Sequence, residues 1–117
     1  METLHFEGRD VPPYAVYAAA ETLIVGSTYF VLHYVDDRMS IPELKPVAFI
    51  GRDLEEGISG NLYFQDAASY IAGVRFESAS GDDDAEFHTV REGTPFVFEF
   101  ERALDRVLYC SVMRARK

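Results

Sequence analysis

The alternation of apolar and polar positions predicts a chain built mainly from short strands. Ile24 to Asp36 is dense in β-branched and aromatic residues, with Phe30, Leu32 and Tyr34 on one face and Tyr29, Val31, His33 and Val35 on the other. Apolarity on both faces suits a long central strand. Val47 to Ile50, closed by Gly51, has the same two-sided character and reads as an interior strand. Shorter strands are expected at Thr3 to Glu7, Leu62 to Gln65, Val74 to Glu77, Glu86 to Val90 and Pro95 to Phe100. The last alternates most cleanly, which sends Phe96, Phe98 and Phe100 inward and Val97 and Glu99 outward.

Three helical signals interrupt this pattern. Ala-rich Val16 to Leu23 favours a short helix ending before Gly26. Asp66 is placed to cap a helix running through Ile71, with Gly73 at the position after its end. From Glu101 onward, Leu104, Val107, Leu108, Ser111 and Val112 recur at helical spacing and predict a C-terminal helix with that stripe facing inward. A closing strand over Val107 to Met113 is the competing reading. Asp36 to Lys45, with Pro42 inside it and Pro46 just after, is expected to be a loop, and Ser78 to Ala85 an exposed one. The sum is an α+β fold: a single domain, 1–117, with a mostly antiparallel or mixed sheet of about six or seven strands and two or three short helices.

Composition supports one core. The 117 residues are 48% hydrophobic and include nine Phe and seven Tyr, far from the signature of disorder. The lone Cys110 forms no internal bridge, and the longest apolar stretches fall well short of the about 20 residues that a spanning helix needs. No secretory leader is evident before Asp10, so a cytoplasmic protein without a membrane span is expected.

Charge narrows the function classes. The net charge is −9, divided between residues 1–101, with 6 Lys or Arg against 19 Asp or Glu, and residues 102–117, with 5 against 1. So acidic a body repels phosphate backbones, and nucleic-acid binding is not expected. The basic tail has a structural reason, since positive charge favours the last turn of a helix.

The motifs that carry chemistry are sparse. Asp82, Asp83, Asp84, Glu86 and His88 are the densest set of hard ligands, but a calcium loop counted from Asp82 would carry Phe87 where a Gly is needed and Gly93 where a bidentate Glu is needed. A solvated charge run is the expectation, with no metal or cofactor. The dispersed glycines form no phosphate loop, and Gly57-Ile58-Ser59-Gly60 is one residue short of a nucleophile elbow. His33, within an apolar strand, is the best candidate for a general base, with Asp36 or Glu99 as its partner. Cys110, late in the terminal helix, is expected to be a small core residue and not a nucleophile, because the helix dipole there opposes a thiolate.

Two functions follow as expectations. The first is a non-catalytic, immunity- or inhibitor-like module that binds a basic protein, or further copies of itself, with Tyr14, Tyr17, Tyr63 and Tyr70 as possible interface anchors. The alternative is a small enzyme or ligand-binding domain with a pocket between sheet and helix that uses His33.

Overall fold

The computed structural model describes residues 1–5, 7–81 and 83–116. Four strands, β1 (Thr28–Tyr34), β2 (Pro42–Arg52), β3 (Asn61–Asp66) and β4 (Phe87–Arg91), form one antiparallel sheet in the order β1-β2-β3-β4. A single-turn helix α1 (Ala67–Ile71) follows β3, and α2 (Phe100–Ala115) ends the chain. The α+β class therefore holds, but among the described residues there are fewer strands than the six or seven expected, and of the two or three helices expected only α2 is longer than a single turn.

Neighbouring strands pair through their backbones, and alternation sends their side chains to two faces of the sheet. On one face Tyr29, Val31, Val47, Phe49, Leu62 and Phe64 form the principal core with Leu23 and Val97. On the other, Phe30 and Leu44 meet Phe100, Ala103 and Leu104 of α2 around a small cavity, and the Phe30 and Phe100 rings lie edge to face at 5.2 Å. Central β2 is buried on both faces from Val47 to Phe49.

The expected loop over residues 36–45 is shorter, because β2 begins at Pro42. Phe30 spends its N–H and C=O on Phe98, so Pro46 faces it across a pair that needs no hydrogen bond, and Pro42 opposite Tyr34 has the same parity. The turn itself is closed by the Asp36 carboxylate, which accepts from the Ile41 N–H at 2.8 Å, the Ser40 N–H at 3.0 Å and the Ser40 hydroxyl.

Asp66 ties three elements together. Its carboxylate accepts from the Ser69 N–H at 2.9 Å as the cap of α1, from the Ser69 hydroxyl at 2.7 Å and from the Glu86 N–H at 2.7 Å just before β4. Gly73, at φ 98°, completes the far end: Val74 N–H reaches Ser69 C=O, and Gly73 N–H reaches Tyr70 C=O.

Several expected elements are replaced. No strand forms at the described residues of the 3–7 segment, of which residue 6 lies outside the description. The helix expected at 16–23 reduces to a 3₁₀ turn at Ala20–Thr22, because Ala18 N–H is drawn to Val97 C=O at 2.8 Å and Leu23 plugs the core. The strand expected at 74–77 gives way to a 3₁₀ turn at Phe76–Ser78 that sets Phe76 against Tyr63 and Phe87. In place of the strand at 95–100, one bridge joins Phe98 to Phe30 and α2 starts at Phe100. Val97 and Phe98 are both buried at 2% exposure, while Phe100 is 58% exposed, which overturns the expected inward set of three phenylalanines. The cause is two-sided pairing: β1 flanks this segment on one side, and on the other Tyr17 stacks on Phe98 at 4.3 Å.

The terminal segment is a helix, which removes the competing strand. Its deep face is Ala103 and Cys110, with Asp105 held by Arg9 and Arg102 at 2.8 Å each, while Ser111 and Val112 of the expected stripe are exposed. The last turns of α2 carry apolar residues beyond the cover of the sheet.

Three outcomes follow from this packing. Phe98→Ala should cost about 3–5 kcal/mol in chemical denaturation, against at most about 1.5 kcal/mol for Phe100→Ala. Cys110, 4% exposed, should react with a thiol reagent far more slowly in the native protein than after unfolding, as labelling kinetics would show. The third concerns acid. Burial opposes the Asp66 charge, but the Glu86 N–H and the Ser69 donors outweigh it and hold its pKa below the usual value; the Lys45 ammonium does the same for Glu86. These folded carboxyls bind protons more weakly than the unfolded chain does. Their stabilisation is complete above the ordinary carboxyl range and is lost as pH falls through the lowered folded values. Asp66→Ala should therefore cost about 2 kcal/mol near neutrality and flatten the acid limb of a stability–pH curve.

Candidate functional site

The residues singled out as catalytic do not converge. His33 is exposed near the end of β1, opposite Glu43. Asp36 is occupied by its own turn: the Ser40 hydroxyl above all, opposed by desolvation and helped by the Ile41 and Ser40 N–H groups, lowers its pKa. Glu99 is exposed at the cap position of α2. None of the three lines either cavity described below.

The tyrosines separate. Tyr63 is 1% exposed and belongs to the core, which removes it as a surface anchor, and Tyr70 is half-buried beneath the Arg75 guanidinium at 4.0 Å. Tyr14 and Tyr17 are exposed, and Tyr17 stands at the mouth of a cleft. Of the acidic run, Asp82 lies outside the described residues. Asp83 accepts from the Ser80 N–H at 2.8 Å, and Glu86 takes Lys45 Nζ at 2.6 Å with His88 Nε2 2.9 Å away. These carboxylates already serve protein partners.

The cleft, of about 430 Å³, opens where the chain before β1 and the chain after β4 run beside each other. Two features of the fold create it. Ala18 N–H bonds Val97 C=O, which brings the two segments together, and the 3₁₀ turn at Ala20–Thr22 follows, with Ala20 and Glu21 lining the cleft. On the opposite lip, Glu92 N–H bonds Gly60 C=O at 2.8 Å, and Gly93 takes φ 92°, a conformation open to glycine that lets the chain reverse toward Pro95.

The walls are apolar: Tyr17, Leu23, Phe64 and Phe96, with the Phe64 and Phe96 rings 5.2 Å apart. Two carboxylates, Glu21 and Glu92, stand at the lip, both on exposed residues. Neither has a side-chain hydrogen bond or ion pair among the described residues, and no Lys or Arg lines the cleft. Such an arrangement can hold an elongated cation. Aromatic faces take its stem or its charge, and the carboxylates accept its hydrogen bonds.

Neither glutamate was visible as a site in the sequence. Glu21 lay in an Ala-rich segment read as helix and Glu92 in a turn, and only the pairing of residue 18 with residue 97 sets them across one opening. No family model, curated protein or solved structure matches this chain.

Proposed function

We propose that this protein is a non-catalytic binding module that docks a basic partner, and that the cleft between Glu21 and Glu92 receives an arginine or lysine side chain from it. The observation that carries this reading is the pair of unpartnered carboxylates at the lip of an aromatic-walled cleft. The acidic charge of residues 1–101 supports it at longer range, since a field of one sign steers an oppositely charged partner and speeds encounter. The alternative, an enzyme built on His33, lacks support because that side chain is exposed, Asp36 has its carboxylate committed to its own turn, and no hydrogen bond among the described residues joins His33 to Asp36 or Glu99. No helix among the described residues is long and apolar enough to cross a membrane, and a cytoplasmic setting is part of this proposal.

The test is titration with a fluorescent arginine-containing peptide, read by anisotropy. The Glu21→Gln, Glu92→Gln double variant should lose about tenfold in affinity, the scale of one or two charge-assisted hydrogen bonds. A second double variant, Glu56→Gln with Glu77→Gln, removes the same charge from exposed or open positions elsewhere and should change affinity much less. Equal losses in the two variants, or no binding by the parent protein, would refute the cleft as the docking site.

A further inference from the structure

Between the 36–41 turn and α2, three arginines gather without a carboxylate to neutralise them. A second cavity, of about 340 Å³, lies between the 36–41 turn and the C-terminal half of the helix, and Arg38, Arg106 and Arg114 line it together with Ser40, Tyr109 and Cys110. Acidic residues outnumber basic ones 20 to 11 in the chain, yet no carboxylate among the described residues lines this cavity. Arg38, Arg106 and Arg114 form no ion pair among the described residues, whereas Arg9, Lys45 and Arg102 all do. Asp36, in the adjoining turn, is engaged by Ser40 and Ile41.

Arg106 is the central group. Its Nε donates to the Tyr34 hydroxyl at 3.1 Å and its guanidinium lies 4.6 Å over the Tyr109 ring, so the planar head is held from two sides. Its Nη1 is closed off from solvent and has no hydrogen-bond partner. A guanidinium partly stripped of water without gaining an anion is costly to hold, and the charge of an anion in the adjoining cavity offsets that cost without contact at Nη1 itself. The position beside a half-buried arginine with two exposed ones around it resembles a socket with its charge left open.

The shape indicates what the anion is attached to. A further cavity of about 550 Å³ shares Ser40, Cys110 and Arg114 with the first and continues past Pro42 and Val107. Met39 and Met113 add apolar wall on the near side. A bare ion would leave most of this space empty. Three guanidinium groups exceed what a monoanionic carboxylate needs and match the dianionic charge and several acceptor oxygens of a phosphate monoester.

We infer that this arginine-lined pocket binds the phosphate group of a small organic phosphate monoester, whose apolar part lies along Met39, Met113, Pro42 and Val107. Binding at this pocket does not depend on the cleft between Glu21 and Glu92, which lies among the segments before β1 and after β4. The acidic body still repels a polyanion, because its field acts over a Debye length, while a small ligand responds to the charges within contact range.

Calorimetric titration with phenyl phosphate, inorganic phosphate and benzoate at constant ionic strength tests this. Phenyl phosphate should bind saturably and about tenfold more tightly than either of the others, because it alone combines dianion and ring. The exposed pair Arg38→Gln, Arg114→Gln should weaken it at least about tenfold, and Arg106→Lys should do the same by keeping charge while losing the planar fork. Circular dichroism of each variant separates loss of binding from loss of fold; should Arg106→Lys not fold, the exposed pair decides alone. Absence of saturation by phenyl phosphate at about 10 mM, tighter binding of benzoate, or full affinity in the folded Arg38→Gln, Arg114→Gln protein would each overturn the assignment.

Discussion

The backbone exchange between Phe30 and Phe98, with N–H to C=O distances of 2.9 and 2.8 Å, is the contact on which the rest of the architecture depends. After β4 the chain is on the far side of the sheet from β1. To reach Phe30 it crosses the core face, placing Phe96 near Phe64 and His88 before Phe98 docks on the free edge of β1. That crossing covers the apolar side chains of Phe64 and Val31 and gives the exposed edge a partner, which an unpaired strand otherwise lacks. It also delivers Phe100 to the opposite face, where α2 can begin against Phe30.

Both binding regions are consequences of the same crossing. On the core face, residues 17–23 run beside residues 95–97, and the gap they leave is the cleft lipped by Glu21 and Glu92. On the other face, α2 runs past β1 toward the 36–41 turn, so Arg106 and Arg114 arrive beside Arg38 although many residues separate them in the chain. Each region carries charge of one sign that the protein leaves unpaired. Surface ion pairs contribute little to stability, so leaving the exposed Glu21, Glu92, Arg38 and Arg114 unpaired costs the fold little, half-buried Arg106 being the exception, and the free groups remain available to a partner.

The chemistry at the two ends differs in kind. Glu21 and Glu92 are exposed acceptors around an aromatic hollow, suited to a flexible cation that brings its own stem. Arg106 is a pre-oriented donor, fixed by Tyr34 and Tyr109 before any ligand arrives, and fixed donors lose less freedom on binding than mobile ones.

What the sequence determined by itself was whatever short-range chemistry dictates. Asp66 and Gly73 announced α1 because a cap and a left-handed glycine act within one turn, and the apolar, largely β-branched and aromatic content of residues 24–36 and 47–50 announced the central strands. The helical spacing after Glu101 announced α2. Tertiary structure decided the rest. The alternation of Phe96, Phe98 and Phe100 read as a strand with one buried face, but pairing on both edges buried Val97 as well and freed Phe100; the prolines of β2 read as loop until their parity against Phe30 showed that no hydrogen bond was required of them. The candidate sites were illegible for the same reason. An unpaired carboxylate or guanidinium is defined by what fails to stand next to it, and neighbours such as Glu21 with Glu92, or Arg38 with Arg106, are created by long-range pairing that no local pattern encodes.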